Sequence, residues 1–180
     1  MDKIIKFIKD KNLFLLGILL IVVIFELDIY TKRTAFSEVN EVYIKTVGIH
    51  DHIHITNYFN IVRVLNTGVS FGMFRNIPFG QYILSIITLL IIIFLVYLLF
   101  RTKSGYDSIT YSIIIAGGLG NFYDRIIFGG VYDFLDFHIS DYHWPAFNLA
   151  DSMICIGVGL IILKDLINYF ISKRSQVSNK

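Results

Sequence analysis

The chain is predicted to be an α-helical integral membrane protein with four transmembrane helices and a small extracytoplasmic β-rich segment. Composition is the first reason. Of 180 residues, 55% are hydrophobic and 17% charged, with mean hydropathy +0.64, against roughly 45–50% apolar and 25% charged in average soluble domains. Apolar runs are the second: residues 13–30, 79–100, 108–125 and 146–164 are each near the length that a bilayer-crossing helix needs. Charge placement is the third. Lys3, Lys6, Lys9 and Lys11 precede the first run, Arg101 and Lys103 follow the second, and Lys164, Lys173, Arg174 and Lys180 follow the fourth. Basic residues collect on the cytoplasmic side, so both termini are expected there, with residues 31–78 and 126–145 outside. One membrane-embedded domain, 1–180, results. A net charge of +2 is too mild to suggest a nucleic-acid partner.

The lysine-rich start and the first run resemble the charged and hydrophobic parts of a secretory signal peptide. The run continues Glu26-Leu27-Asp28-Ile29-Tyr30, which has no small-residue cleavage site, so it is expected to stay as the first span. Asp28 and Lys32, four apart, share a helix face and can pair near the outer surface if the helix continues. Within residues 31–78, Ile53-His54-Ile55-Thr56 and Ile61-Val62-Arg63-Val64-Leu65 read as strands. His50, His52 and His54 alternate along one strand face. They offer metal ligands without a fourth partner nearby, and a solvated strand face is the favoured reading. Asn66-Thr67-Gly68-Val69-Ser70-Phe71-Gly72 has the glycines and asparagine of a tight turn.

The second run, uncharged from Phe79 to Phe100, is the clearest span. The third holds 16 uncharged residues to Tyr123 and rises only ~24 Å before Asp124, which puts Asn121, Asp124 and Arg125 on one face near the outer boundary. Gly117, Gly118 and Gly120 permit close approach of a neighbouring backbone. Pro145 precedes the fourth span, where a first-turn proline is tolerated. Asp151 is then about a turn and a half inside, sharing a face with Asn148. Cys155, the single cysteine, excludes an internal disulfide and reads as packing.

Chemistry concentrates between Gly117 and Ser152. Asp124, Asp133, Asp136 and Asp141 fall in or beside the outer loop and Asp151 beyond it, and carboxylates at a membrane edge are costly enough to suggest function. Two carboxylates sharing a site hold one proton between them, the arrangement of an aspartic protease. No serine-nucleophile, HExxH or Walker A pattern competes. Spacing leaves Asp124, Asp133 and Asp136 all open as the partner of Asp151.

The runs Gly118-Leu119-Gly120-Asn121-Phe122-Tyr123-Asp124-Arg125, Val131-Tyr132-Asp133-Phe134 and Phe147-Asn148-Leu149-Ala150-Asp151-Ser152 resemble the signature of the lipoprotein signal peptidases, the type II signal peptidases of bacteria. Asn66-Thr67-Gly68 and Asp28 with Lys32 resemble two further motifs of that family, in the same order. The resemblance implies a four-span aspartic endopeptidase of the inner membrane that cuts prolipoprotein signal peptides just before the diacylglyceryl-bearing cysteine. It implies no metal or other cofactor, inhibition by globomycin, and an active site near the outer leaflet among membrane lipids; a monomer is expected. Carried over by residue, it names Asp133 and Asp151 as the catalytic pair. Asn66, Asn121, Arg125 and Asn148 match positions that support the pair or hold substrate backbone, Asp28 and Lys32 the polar end of the first span, and Asp124, Gly118 and Gly120 structural positions. Val69-Ser70-Phe71-Gly72 departs from the Ala-Ala-Phe-Ser more usual in the family, and the stretch between Lys32 and Asn66 is longer than usual.

Tyr30, Phe71, Phe74, Tyr82, Tyr123, Tyr132, Tyr142 and Trp144 cluster near the outer ends, as interfacial anchors do. A small proton-conducting transporter would need charge along a path through the membrane, and the second span has none. A purely structural subunit would leave Asp151 unexplained.

Overall fold

The computed structural model describes residues 2–45, 52–68 and 79–178. His50, Phe71, Phe74 and the Val69-Ser70-Phe71-Gly72 departure lie outside the described residues. Four helices and four strands follow in the order α1 (Asp2–Lys45), β1 (His52–Thr56), β2 (Phe59–Asn66), α2 (Gly80–Arg101), α3 (Gly105–Phe128), β3 (Val131–Ile139), β4 (Tyr142–His143) and α4 (Leu149–Ser178). This is a helical membrane protein carrying a small antiparallel sheet.

Three stretches, Asn12–Asn40, Gly80–Arg101 and Leu149–Arg174, are long and apolar enough to cross a membrane. The third expected span, α3, is not among them, because serine, threonine, glycine, asparagine and aspartate dilute its apolar residues. Its position explains the composition. The helix packs against α1, α2 and α4 at once, so much of its surface faces protein, and it buries Ser108, Thr110, Ser112 and the run Ile114 to Gly118. Ile114, Ile115 and Ala116 join Ile21 and Ile24 of α1 and Ile92, Leu95 and Leu99 of α2 in the core. Outward, large apolar side chains such as Leu16, Leu90, Phe94 and Ile162 are exposed, as lipid-facing side chains are.

Small residues set the closest approaches. A Cβ on Gly117 would collide with the carbonyl oxygen of Ala150, and one on Gly120 with the carboxylate of Asp28, whereas Gly118 faces the side chains of Ile92 at 3.2 Å and Thr88 at 3.9 Å. Gly117 and Gly120 therefore let α3 meet the start of α4 and the Asp28 carboxylate. At the opposite end, the Ser108 hydroxyl donates to the Leu13 carbonyl, the Tyr106 hydroxyl to the Leu160 carbonyl, and Lys164 pairs with Asp107 at 2.5 Å. The bundle thus has a tied end and, away from it, an end that carries the sheet.

The helix through the first run does not stop at Tyr30. It continues to Lys45, so part of the segment expected to be outer sheet is helix. No glycine or proline interrupts residues 31–45, and Asp28, Lys32, Ala35 and Val39 form one buried stripe at helical spacing. Past Lys32, that stripe bears on the sheet: α1 packs against β1, β2 and β3, and the Phe36 ring lies 4.2 Å from that of Tyr132.

The two expected strands form, and the expected loop at 126–145 contributes two more, giving an antiparallel sheet in the order β1-β2-β3-β4. β2 pairs with β3 so that Asn60 faces Asp136 and Val64 faces Asp133, with a bulge between Ile61 and Val64. Gly129, at φ 71°, ends α3 in the left-handed conformation that glycine tolerates, and the chain turns into β3. The helix after Pro145 also starts later than expected. Phe147 bridges to Leu135 of β3, and α4 begins at Leu149, so Asp151 sits in its first turn instead of a turn and a half inside.

Candidate active site

Asn148 is the residue immediately before α4, and its side-chain oxygen accepts the backbone N–H of Asp151 at 2.9 Å. In return, the Asp151 carboxylate accepts the backbone N–H of Asn148 at 3.2 Å. This reciprocal cap satisfies helix-end donors and fixes Asp151 where the helix dipole favours a negative charge. The Asn148 amide then does a second job, donating to Asp133 at 2.7 Å. One asparagine thereby spans the two carboxylates that the resemblance names.

Each carboxylate has a second amide donor. Asn66, at the end of β2, donates to Asp133 at 3.0 Å, and Asn121 of α3 donates to Asp151 at 2.7 Å. Asn121 in turn accepts from the Asn148 amide at 3.2 Å. Asp133 and Asp151 face one cavity of ≈ 840 Å³, together with Asn66, Asn121 and Arg125. Trp144, Pro145, Ala146 and Phe147 form one side of it, while Thr88 of α2, Gly118 of α3 and Ile154 and Ile156 of α4 make an apolar side. Cys155, read as packing, is exposed and lines this cavity.

Asp133 is 2% exposed. Burial first, and then the negative charge of Asp151, push its carboxyl from the ordinary 3.8 up to about 7, against the opposing hydrogen bonds from Asn66 and Asn148. The pair is therefore poised to hold one proton near neutrality. Arg125 lines the cavity as well, its Nη1 donating to the Asn121 carbonyl at 3.3 Å, while its buried Nε has no hydrogen-bond partner among the described residues. A guanidinium so placed can hold a carbonyl oxygen or a carboxylate.

Asp28, Lys32 and Asp124 form a separate buried cluster. Lys32 reaches Asp28 at 2.6 Å and Asp124 at 2.9 Å. The expected Asp28–Lys32 pair thus forms, and it is buried within the protein. Asp28 also accepts the N–H of Ala150 at 2.9 Å, and Asp124 that of Tyr132 at 3.1 Å. The cluster ties α1 and α3 to the first turn of α4 and the start of β3, the two places that carry Asp151 and Asp133. Asp124 bonds to Lys32 and to the chain just past the end of α3.

Asp136 and Asp141 lie away from this cavity. Asp136 lines a second cavity, where it meets His143 at 2.8 Å and Asn60 at 3.0 Å, and Asp141 is exposed. Strand alternation separates Asp136 from Asp133, because positions three apart point to opposite faces. That signal was present in Val131-Tyr132-Asp133-Phe134-Leu135-Asp136; reading 126–145 as a loop concealed it. Sequence reasoning also missed the chain from His143 through Asp136 and Asn60 to His54, which depends on strand pairing across more than seventy residues.

The fold and the site define a helical membrane protein in which two carboxylates, Asp133 buried and Asp151 half-buried, face one cavity. Comparison with known proteins makes this particular. The family profile for signal peptidase (SPase) II matches residues 20–167. A lipoprotein signal peptidase of Anaplasma phagocytophilum is 39% identical over 145 residues, covering 80% of this chain and 90% of that one. One from Francisella tularensis subsp. novicida is 37% identical over 166 residues, covering 90% and 94%. Two solved structures described as bacterial membrane enzymes, obtained by the in meso method at 2.3 and 1.9 Å, are each 33% identical and superpose with TM-scores of 0.68 and 0.65. They cover 85% and 83% of this chain, and 88% and 92% of theirs. The chain belongs to the signal peptidase II family.

Proposed function

We propose that this protein removes signal peptides from diacylglyceryl-modified prolipoproteins, cutting just before the lipidated cysteine, with Asp133 and Asp151 as an aspartic dyad. The observation that carries this reading is the Asn148 bridge, which holds two carboxylates on one cavity with amide donors and no lysine between them. Asp133 carries the shared proton, and the charged carboxylate of Asp151 takes a proton from water as the water oxygen attacks the scissile carbonyl carbon. Asp133 donates to the carbonyl oxygen, giving a neutral diol. Collapse of the diol re-forms the carbonyl, breaks the C–N bond and delivers a proton to the amine of the lipidated cysteine. Arg125 and the asparagine amides hold the peptide backbone, and the apolar side of the cavity takes the hydrocarbon beside the cut.

We read α3 as the fourth span. The tied end of the bundle carries Arg101, Lys103 and Lys164, so it lies in the cytoplasm with both termini, and the sheet and the dyad lie at the outer leaflet of the bacterial inner membrane. Exposed Tyr30, Tyr82, Tyr142 and Trp144 suit that boundary. Reporter fusions at Lys103 and Tyr142 should report cytoplasmic and external positions respectively; a cytoplasmic Tyr142 would sink this topology.

The direct test is incubation of the purified protein with a lipidated prolipoprotein. Expected are a cleaved signal peptide, a block by globomycin and full activity in EDTA. A product cut elsewhere, or turnover that dies in EDTA and returns with zinc, would overturn the reading.

A further inference from the structure

The second cavity, ≈ 620 Å³ on the sheet, holds side chains that the proposed peptidase chemistry does not use: His54, His138, His143 and Asp136. Their hydrogen bonds fix which ring nitrogen carries the proton. His138 Nδ1 lies 3.3 Å from the Ser140 carbonyl, which can only accept, so Nδ1 is the donor. His143 Nδ1 lies 2.8 Å from the Asp136 carboxylate, and the other Asp136 oxygen also accepts from the Asn60 amide at 3.0 Å. With its NH2 group turned to Asp136, Asn60 presents its oxygen to His54 Nδ1 at 3.2 Å, and His54 donates there. In its neutral form each of the three imidazoles therefore spends its one N–H at Nδ1 and keeps the Nε2 lone pair. A histidine whose Nδ1–H is held by a carboxylate or carbonyl is the usual arrangement behind a metal-binding Nε2. His138 adds a direct sign that something is missing, because its Nε2 is buried with no hydrogen-bond partner among the described residues.

We propose that His54, His138 and His143 form a binding site for a divalent transition metal of the zinc type on the sheet, separate from Asp133 and Asp151. Three imidazoles and a water complete a four-coordinate site for such an ion. Asp136 and Asn60 are positioning residues that orient His143 and His54. Among the described residues no three metal-binding side chains are yet gathered around one point, so binding draws the more accessible rings closer together. His54 is exposed and the His143 side chain is 51% exposed, which leaves both room to shift toward His138 with their Nδ1–H bonds kept. The cavity shares Val64, Trp144, Pro145 and Ala146 with the cavity of the dyad, so a metal here would stiffen the wall between them.

The test uses tag-free, chelator-treated, full-length protein in detergent, titrated with Co²⁺ and then with Zn²⁺. A ligand-field absorption that saturates at one equivalent and is displaced by Zn²⁺ is expected, with a Zn²⁺-dependent rise in the thermal midpoint. Both should vanish in the His138→Gln/His143→Gln variant, and Asp136→Asn should weaken binding about 10–100-fold without changing the stoichiometry. Should the double variant fail to fold, His54→Gln, at an exposed position, carries the same expectation of at least about tenfold weaker binding. Asp133→Asn should bind Co²⁺ like the parent. Parent binding no tighter than that of the histidine variants would overturn the site, and a signal lost in Asp133→Asn would move the metal to the dyad. Because the readout is spectroscopic, it stands or falls independently of peptide cleavage.

Discussion

Two groups of carboxylates sit side by side in this protein, and they differ in what lies between them. Asp28 and Asp124, 0% and 1% exposed, are bridged by the ammonium of Lys32, and their remaining bonds go to backbone N–H groups. Asp133 and Asp151 are bridged by the amide of Asn148 and receive further neutral amides from Asn66 and Asn121. A cation between two carboxylates offsets their repulsion and makes a rigid joint. Neutral donors orient two carboxylates without cancelling their repulsion, so one of them is left to hold a proton. On the proposed reading, the first group holds position and the second carries the chemistry.

Removing either member of the second group should give the largest effect. Asp133→Asn and Asp151→Asn should each lower turnover by about a thousandfold or more, and the double variant should be hardly worse, since the two act as a unit. Both single variants should still unfold cooperatively and bind globomycin. An active Asp133→Asn beside a folded but inactive Asp124→Asn would mean that the two groups have been assigned the wrong way round.

The first group should fail differently. Lys32→Met leaves two carboxylates buried without their cation, and breaking a buried ion pair costs roughly 3–5 kcal/mol. Thermal unfolding in detergent should show a large loss, whereas Asp133→Asn should not. Asp124→Asn keeps the shape but loses the charge opposite Lys32 and should cost about 1–3 kcal/mol; its surviving folded fraction should retain turnover. A Lys32→Met protein as stable as the parent would remove the distinction between the joint and the dyad.

That distinction was only half legible in the sequence. Helical spacing put Asp28 with Lys32 and Asn148 with Asp151, and apolar runs with basic flanks located the three lipid-facing spans. Partners set by tertiary pairing were not readable from spacing: Asp124 with Lys32, Ala150 with Asp28, and Asn66 with Asp133 each join segments tens of residues apart. Family motifs supplied the Asp133–Asp151 pairing where spacing had left three candidates. The extension of α1 to Lys45 was hidden because residues 31–45 are polar enough to resemble a surface segment, yet Ala35 and Val39 continue the buried stripe below the sheet. Strands β3 and β4 were hidden by the density of aspartates, which are poor strand formers in isolation and here face cavities lined by amides and histidines.

The most gradual expected effect is also the most diagnostic of how the dyad differs from the joint, and it is a slope with pH. In the folded protein the Asp133 carboxyl binds its proton up to about pH 7, whereas in the unfolded chain it releases it near 3.8. Between about pH 4 and pH 7 the folded state therefore holds more proton than the unfolded one, and stability falls as the pH rises through that window. Below it the penalty is absent, and above it the penalty is complete and constant. A tenfold change in proton affinity corresponds to about 1.4 kcal/mol, so the whole drift amounts to a few kcal/mol at most. Asp133→Asn removes it. The variant also turns one NH2 group toward an amide donor, Asn66 or Asn148, a mismatch that costs the same at every pH. Stability of the variant minus that of the parent should accordingly rise from pH 4 to pH 7 and level off above. Turnover of the parent should show an alkaline limb with an apparent pKa near 7, belonging to the pair. Parallel stability curves for parent and variant across this window would show that Asp133 is charged in the folded protein, and the proton would have to be sought elsewhere.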